Sequence, residues 1–217
     1  MGTQNQNLPS FIVIEPHSPC AGGQVWGADF LPGAHQGTRV VPGNNPVPNI
    51  KPRVPNKLQE LELAALRRRN QQHLAKQSDN PELTARIRAF ESAFGMQMTV
   101  PEAFDFARET DATYGLYGLQ RGQTNGFGWQ CLAARRLAER RVRFIELIHT
   151  GSSGNWDSHG DMMDHERLAK QFDRPIYGLL TDLKQRGMLE DTLIVWKTEF
   201  GHTVQQLADH KGREHHN

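Results

Sequence analysis

Two short apolar segments flanking one helix-length stretch constrain this chain most. Residues 142–149 read Val-Arg-Phe-Ile-Glu-Leu-Ile-His, and residues 192–198 read Thr-Leu-Ile-Val-Trp-Lys-Thr. Both are rich in β-branched and aromatic residues at strand length, so both read as strands. Between them, Leu168, Phe172, Ile176, Leu179, Leu180 and Leu183 recur at helical spacing over 164–185. Pro175 should break or kink that helix near Asp173, and Gly187 is a good stop. Strand, helix, strand at this spacing is a βαβ unit, so the two strands should be parallel with a right-handed crossover.

The preceding residues divide into two regions. Phe11-Ile-Val-Ile14, between Pro9 and Pro16, fits a buried strand. Prolines and glycines then recur without periodicity as far as Pro55, which reads as a long loop over 16–55. Trp26, Phe30 and Leu31 could pin it. Helices follow. One starts with Asn56 as its cap and runs to about Gln77, with Leu58, Leu61, Ala65 and Leu74 as apolar positions. A second starts at Asp79-Asn80-Pro81 and ends near Met98, burying Leu83, Ile87, Phe90 and Phe94. A short helix begins at Pro101. Residues 127–140 form another, with Cys131, Leu132 and Leu137 inward and Arg135, Arg136 and Glu139 outward. The whole is one α/β domain: strand and loop over 1–55, helices over 56–125, and a βαβ core over 126–217.

Composition narrows the function. With 25 basic and 24 acidic residues the net charge is +1, which argues against a nucleic-acid or membrane-surface protein held by bulk charge. No apolar stretch approaches the ~20 residues that cross a bilayer. The N-terminus shows no export signal. Cys20 and Cys131 make neither a disulfide framework nor a CxxC pair.

The chemistry gathers at strand ends. Residues 142–149 run into Gly-Ser-Ser-Gly-Asn-Trp-Asp-Ser-His-Gly-Asp over 151–161, and residues 192–198 run into Glu199-Phe200-Gly201-His202. Gly212-Arg213-Glu214-His215-His216 comes last. Ligands of open α/β sheets bind beyond the carboxyl ends of the strands. We therefore read Asp157, His159, Glu199 and His215 as a metal site. Carboxylate plus imidazole suits Zn²⁺, Mn²⁺ or Fe²⁺, and suits Ca²⁺ less. The bland reading makes Asp157 and His159 a turn. His149 and His165 are weaker candidates, and His17, His35 and His73 read as surface residues.

These residues also carry a resemblance. Asn5-Gln-Asn-Leu-Pro9, Trp156-Asp-Ser-His159, the stretch over 179–196, Glu199-Phe-Gly201 and Gly212-Arg-Glu-His215 resemble the domain of unknown function 1501 family, taken as a sulfatase-like branch of the alkaline phosphatase superfamily. The resemblance runs nearly end to end. It implies a partial alkaline-phosphatase-like three-layer sandwich with a mostly parallel sheet. It implies a divalent metal ion (zinc, manganese or calcium) on Asp157, His159, Glu199 and His215, with His202 or Arg213 on the anion. It implies hydrolysis of a sulfate or phosphate ester of a small molecule or polysaccharide. Family members resemble bacterial exported proteins, periplasmic or extracellular.

The chain departs from the family pattern at several points. Glu199 and Phe200 stand where related enzymes carry Asp and His, which counts against a two-metal centre. The family usually has Arg at the place of His202 and Asp at that of Glu214. An arginine can clamp an ester anion bidentately, and a histidine only when protonated. Family members also extend further at both ends, so the chain reads as a fragment. Alone it is expected to be poorly soluble and inactive for want of the nucleophile segment. The alternative is a non-catalytic binding or structural remnant of the same scaffold.

Overall fold

The computed structural model describes residues 5, 7–19, 22–76, 80–197, 203 and 211–213. Its centre is strand β1 (Phe11–Ile14), whose Ile12, Val13 and Ile14 are fully buried. A continuous apolar run suits a strand covered on both faces. β1 pairs in parallel with β2 (Thr38–Val40) on one side and β3 (Phe144–Leu147) on the other, giving the order β2–β1–β3. Residues 16–55 are thus not structureless: besides β2 they hold 3-10 turns at Gly22–Trp26 and Gly33–His35.

The strand expected over 192–198 is not formed. Residue 198 lies outside the described residues, and residues 192–197 carry no strand. A parallel strand needs cover on both faces, whereas Leu193 is 88% and Trp196 66% exposed. The segment still lies near its expected place. The Trp196 ring sits 4.4 Å from that of Phe172, and the charge of Lys197 acts on Glu146 of β3. The βαβ unit is therefore open, and the parallel partner of β3 is β1.

Among the described residues five α-helices accompany the sheet: α1 (Asn56–Leu74), α2 (Pro81–Phe104), α3 (Asp111–Leu116), α4 (Phe127–Glu139) and α5 (Asp164–Gln185). α1 begins at Asn56 with Pro55 as its cap, and none of its residues is buried. It leans on α2, where Arg67 pairs with Glu91 at 2.9 Å. α2 starts as expected, with the Asn80 side chain accepting from the Leu83 N–H at 2.9 Å. It then continues through Pro101, so no separate helix begins there. Phe90 on its outer face is exposed, not buried. α5 likewise runs through Pro175, which is itself buried. Packing holds the helix where propensity alone would break it. Gly187, at φ +68°, closes α5 with the Met188 N–H on the Leu183 carbonyl at 2.8 Å.

α4 packs against β3, α2 and α5. Cys131, Leu132 and Leu137 point inward as expected, but Arg135 and Arg136 are buried too. Arg135 meets Glu109 at 2.8 Å, Glu139 at 2.8 Å and Asp182 at 2.9 Å. Arg136 bonds Glu109 at 2.5 Å and the Ala103 carbonyl at 2.8 Å. Tyr117 donates to Asp182 at 3.0 Å, and Arg186 reaches both Asp182 and Glu139. Three arginines and three carboxylates thus balance, the arrangement that makes buried charge tolerable. Burial opposes the charge on both Arg135 and Glu109, yet their partners outweigh it. Arg135 is held more basic than usual, and Glu109 below its ordinary 4.5.

Candidate functional site

The chain passes from β2 on one side of β1 to β3 on the other. The carboxyl end of β1 is therefore a point where the winding of the sheet switches, the usual place for a ligand crevice. One opens there, about 480 Å³ in volume, lined by His17, Ser18, Arg39, Ser152 and Ser153. Two features build it. Gln130 of α4, fully buried and with its amide oriented to donate, bonds the Ile14 carbonyl at 3.2 Å and the Ile148 carbonyl at 3.1 Å. It ties the ends of β1 and β3 together. Gly151 supplies the second: a β-carbon there would lie 2.6 Å from that of His17, so only glycine lets the two loops close.

Glu15, the residue after β1, is 0% exposed. Its N–H donates to the Val40 carbonyl at 3.0 Å, and its carboxylate is ion-paired with Arg39. The Arg39 side chain is 46% exposed and faces the crevice. Sequence reasoning missed this pair. A lone Glu after a strand and a lone Arg in a proline-rich stretch carry no periodic signal, and only the pairing of β1 with β2 joins them.

The loop over 151–161 leaves the crevice as a folded unit. Asn155 donates to the Gly151 carbonyl at 3.3 Å and accepts from the Asp157 N–H at 3.1 Å. Asp157 Oδ1 and His159 Nε2 converge to 2.7 Å. Two of the four residues read as metal ligands are therefore side by side, the carboxylate and the imidazole in contact with each other. That donor chemistry fits a divalent transition ion. Glu199 and His215, and the anion candidate His202, lie outside the described residues. Among the described residues no group of three or more His, Cys, Asp or Glu side chains gathers as a metal cage. Arg213 is exposed, on a segment whose Lys211 forms a parallel bridge with Asp161. Residues 211–213 therefore lie against the Asp157–His159 loop.

His149 supports this loop from below. Trp156 Nε1 donates to His149 Nδ1 at 3.0 Å, and His165 Nε2 meets the Trp156 carbonyl at 2.6 Å. Phe127 and Phe172 pack on the His149 ring at 4.7 and 5.5 Å. Burial, then the charge of Arg167, lowers its pKa from 6.5. A proton on Nδ1 would also oppose the Trp156 N–H. His149 is thus a neutral acceptor that aims Trp156, and His165 is a brace.

The family model for Protein of unknown function (DUF1501) matches residues 1–217. The chain belongs to this family. No curated protein and no solved structure matches it. In this DUF1501 chain, then, the crevice, the Asp157–His159 pair and the returning 211–213 segment all meet on one loop. No described helix is long and apolar enough to cross a membrane.

Proposed function

We propose that this DUF1501 chain is a metal-dependent hydrolase of sulfate or phosphate esters, built on an alkaline-phosphatase-like sheet. The observation that carries the reading is the Asp157–His159 pair, its donor atoms 2.7 Å apart on the loop that leaves the carboxyl end of β3. The family resemblance of these residues supports it, as does the return of 211–213 to the same loop. Asp157 and His159 would hold the ion, with Glu199 and His215 completing its ligands. When bound, a divalent ion polarises an ester oxygen and favours an oxygen nucleophile. The chain's own residues do the rest. The Trp156–His149 bond fixes the loop, Asn155 orients the Asp157 backbone, and Arg213 would offer its guanidinium to the anionic ester group.

The test is elemental analysis of the purified chain beside Asp157→Ala and His159→Ala, with hydrolysis of a generic aryl sulfate and aryl phosphate. The reading expects close to stoichiometric metal in the parent and a clear loss in both variants. Equal metal content in all three would remove it.

A further inference from the structure

The crevice at the end of β1 has a ligand chemistry of its own. Its lining residues offer a guanidinium, an imidazole and three hydroxyls, and none of those described is acidic. The nearest carboxylate, Glu15, is 0% exposed beneath Arg39. Burying a carboxylate costs several kcal/mol unless it is paired, and here the pairing also fixes the partner. Arg39 Nε is committed to Glu15. A guanidinium has five donors in a planar fork, so a side chain held at Nε and 46% exposed keeps its outer edge toward the crevice. Ser152 and Ser153 face it from the β3 side, and His17 and Ser18 from the β1 side. Donors on β2 and on the loops after β1 and β3, lining one crevice with a paired arginine, suit a tetrahedral oxyanion, which accepts from several directions at once.

We propose that this crevice is an oxyanion subsite, with Arg39 as the residue that binds a phosphate or sulfate group and Glu15 as the residue that positions Arg39. Taking the ion to be the acid group of an ester substrate rests on the hydrolase reading above; the binding itself does not. The crevice and the Asp157–His159 pair are joined through Gly151 and Asn155, so an ester held at Arg39 lies beside the loop that carries the pair.

The test is calorimetric titration of the chain with inorganic phosphate and, separately, inorganic sulfate, in chelator. The parent should bind one or both saturably, and the preferred ion names the acid group. Glu15→Gln/Arg39→Met removes both members of the buried pair together, so neither is stranded. It should weaken binding by about tenfold or more, the worth of one charge-assisted hydrogen bond. Ser152→Ala/Ser153→Ala, at exposed loop positions, probes the crevice without touching the pair and should weaken binding about threefold or more. No saturable binding by the parent, or parent-like binding by Glu15→Gln/Arg39→Met, overturns the subsite. Aryl ester turnover is scored apart. Anion binding that Glu15→Gln/Arg39→Met abolishes supports the subsite whether or not turnover occurs, and the hydrolase reading stands or falls separately on the metal content of the parent against Asp157→Ala and His159→Ala.

Discussion

Gly151 has no room for a side chain. A methyl there would press on the His17 β-carbon, which cannot swing away as a side-chain tip would. Gly151→Ala is therefore expected to push apart the loops after β1 and β3 and to cost about 1–3 kcal/mol in denaturant unfolding. An unchanged midpoint would mean the loops are not in contact. His149 gives a pH prediction. Its folded pKa lies below the ordinary 6.5, so the unfolded chain takes up the proton first. Stability should be full above pH 6.5, fall as pH drops below it, and level off under the depressed folded value. In His149→Asn the amide oxygen can still accept from Trp156 but cannot titrate. Its melting temperature should lose that dependence, and an identical slope in both proteins would locate the titration elsewhere. Neither role was legible in the sequence. The pattern showed a histidine at a strand end but not the rings of Phe127 and Phe172, which come from other elements.

At the scale of elements, helical period placed α2, α4 and α5 close to where they stand, because apolar spacing reports burial directly. The two prolines misled, since a helix seated in a packed interface can hold a residue that would break it in isolation. The outward reading of Arg135 and Arg136 failed for a related reason. A charge is normally a surface signal, but Glu109 precedes α3 and Asp182 lies on α5, 47 residues beyond Arg135 in the chain. No local pattern pairs them. Arg135→Met should leave Glu109 and Asp182 buried beside a missing charge and cost about 3–5 kcal/mol, measured by chemical unfolding. A loss within experimental error would show the network to be solvated. Acid supplies a second check. Glu109 is held below 4.5, so its contribution is present above that pH and fades as pH falls through its lower folded value. Glu109→Gln should be less stable than the parent at neutral pH and should show a shallower loss of stability below pH 4.5.

For the whole molecule, the open edge of the sheet matters most. Leu193, Val195 and Trp196 are exposed beside β3, which itself shows Phe144 to solvent. Substitutions at such positions usually change stability by no more than about 0.5 kcal/mol. Leu193→Lys should therefore be neutral in unfolding experiments and should raise solubility, because an exposed apolar run beside a strand edge invites association. A loss of several kcal/mol would mean that residues 192–197 are buried as a strand after all.

The sequence by itself determined what is local and periodic: the buried run of β1, the Pro81 start of α2 with a cap at Asp79 or Asn80, the apolar stripe of α5 and its glycine stop, and an Asp-x-His pair on a glycine-rich loop. The tertiary structure decided what depends on which elements become neighbours. β3 turned to β1 for its partner, and a three-residue strand inside a proline-rich stretch carried Arg39 to Glu15. The physical reason is that hydrophobic period records how deep a residue lies, whereas an ion pair or a crevice records which distant segments meet there. Glu15 and Arg39 are 24 residues apart in the chain and touch only because two strands run side by side.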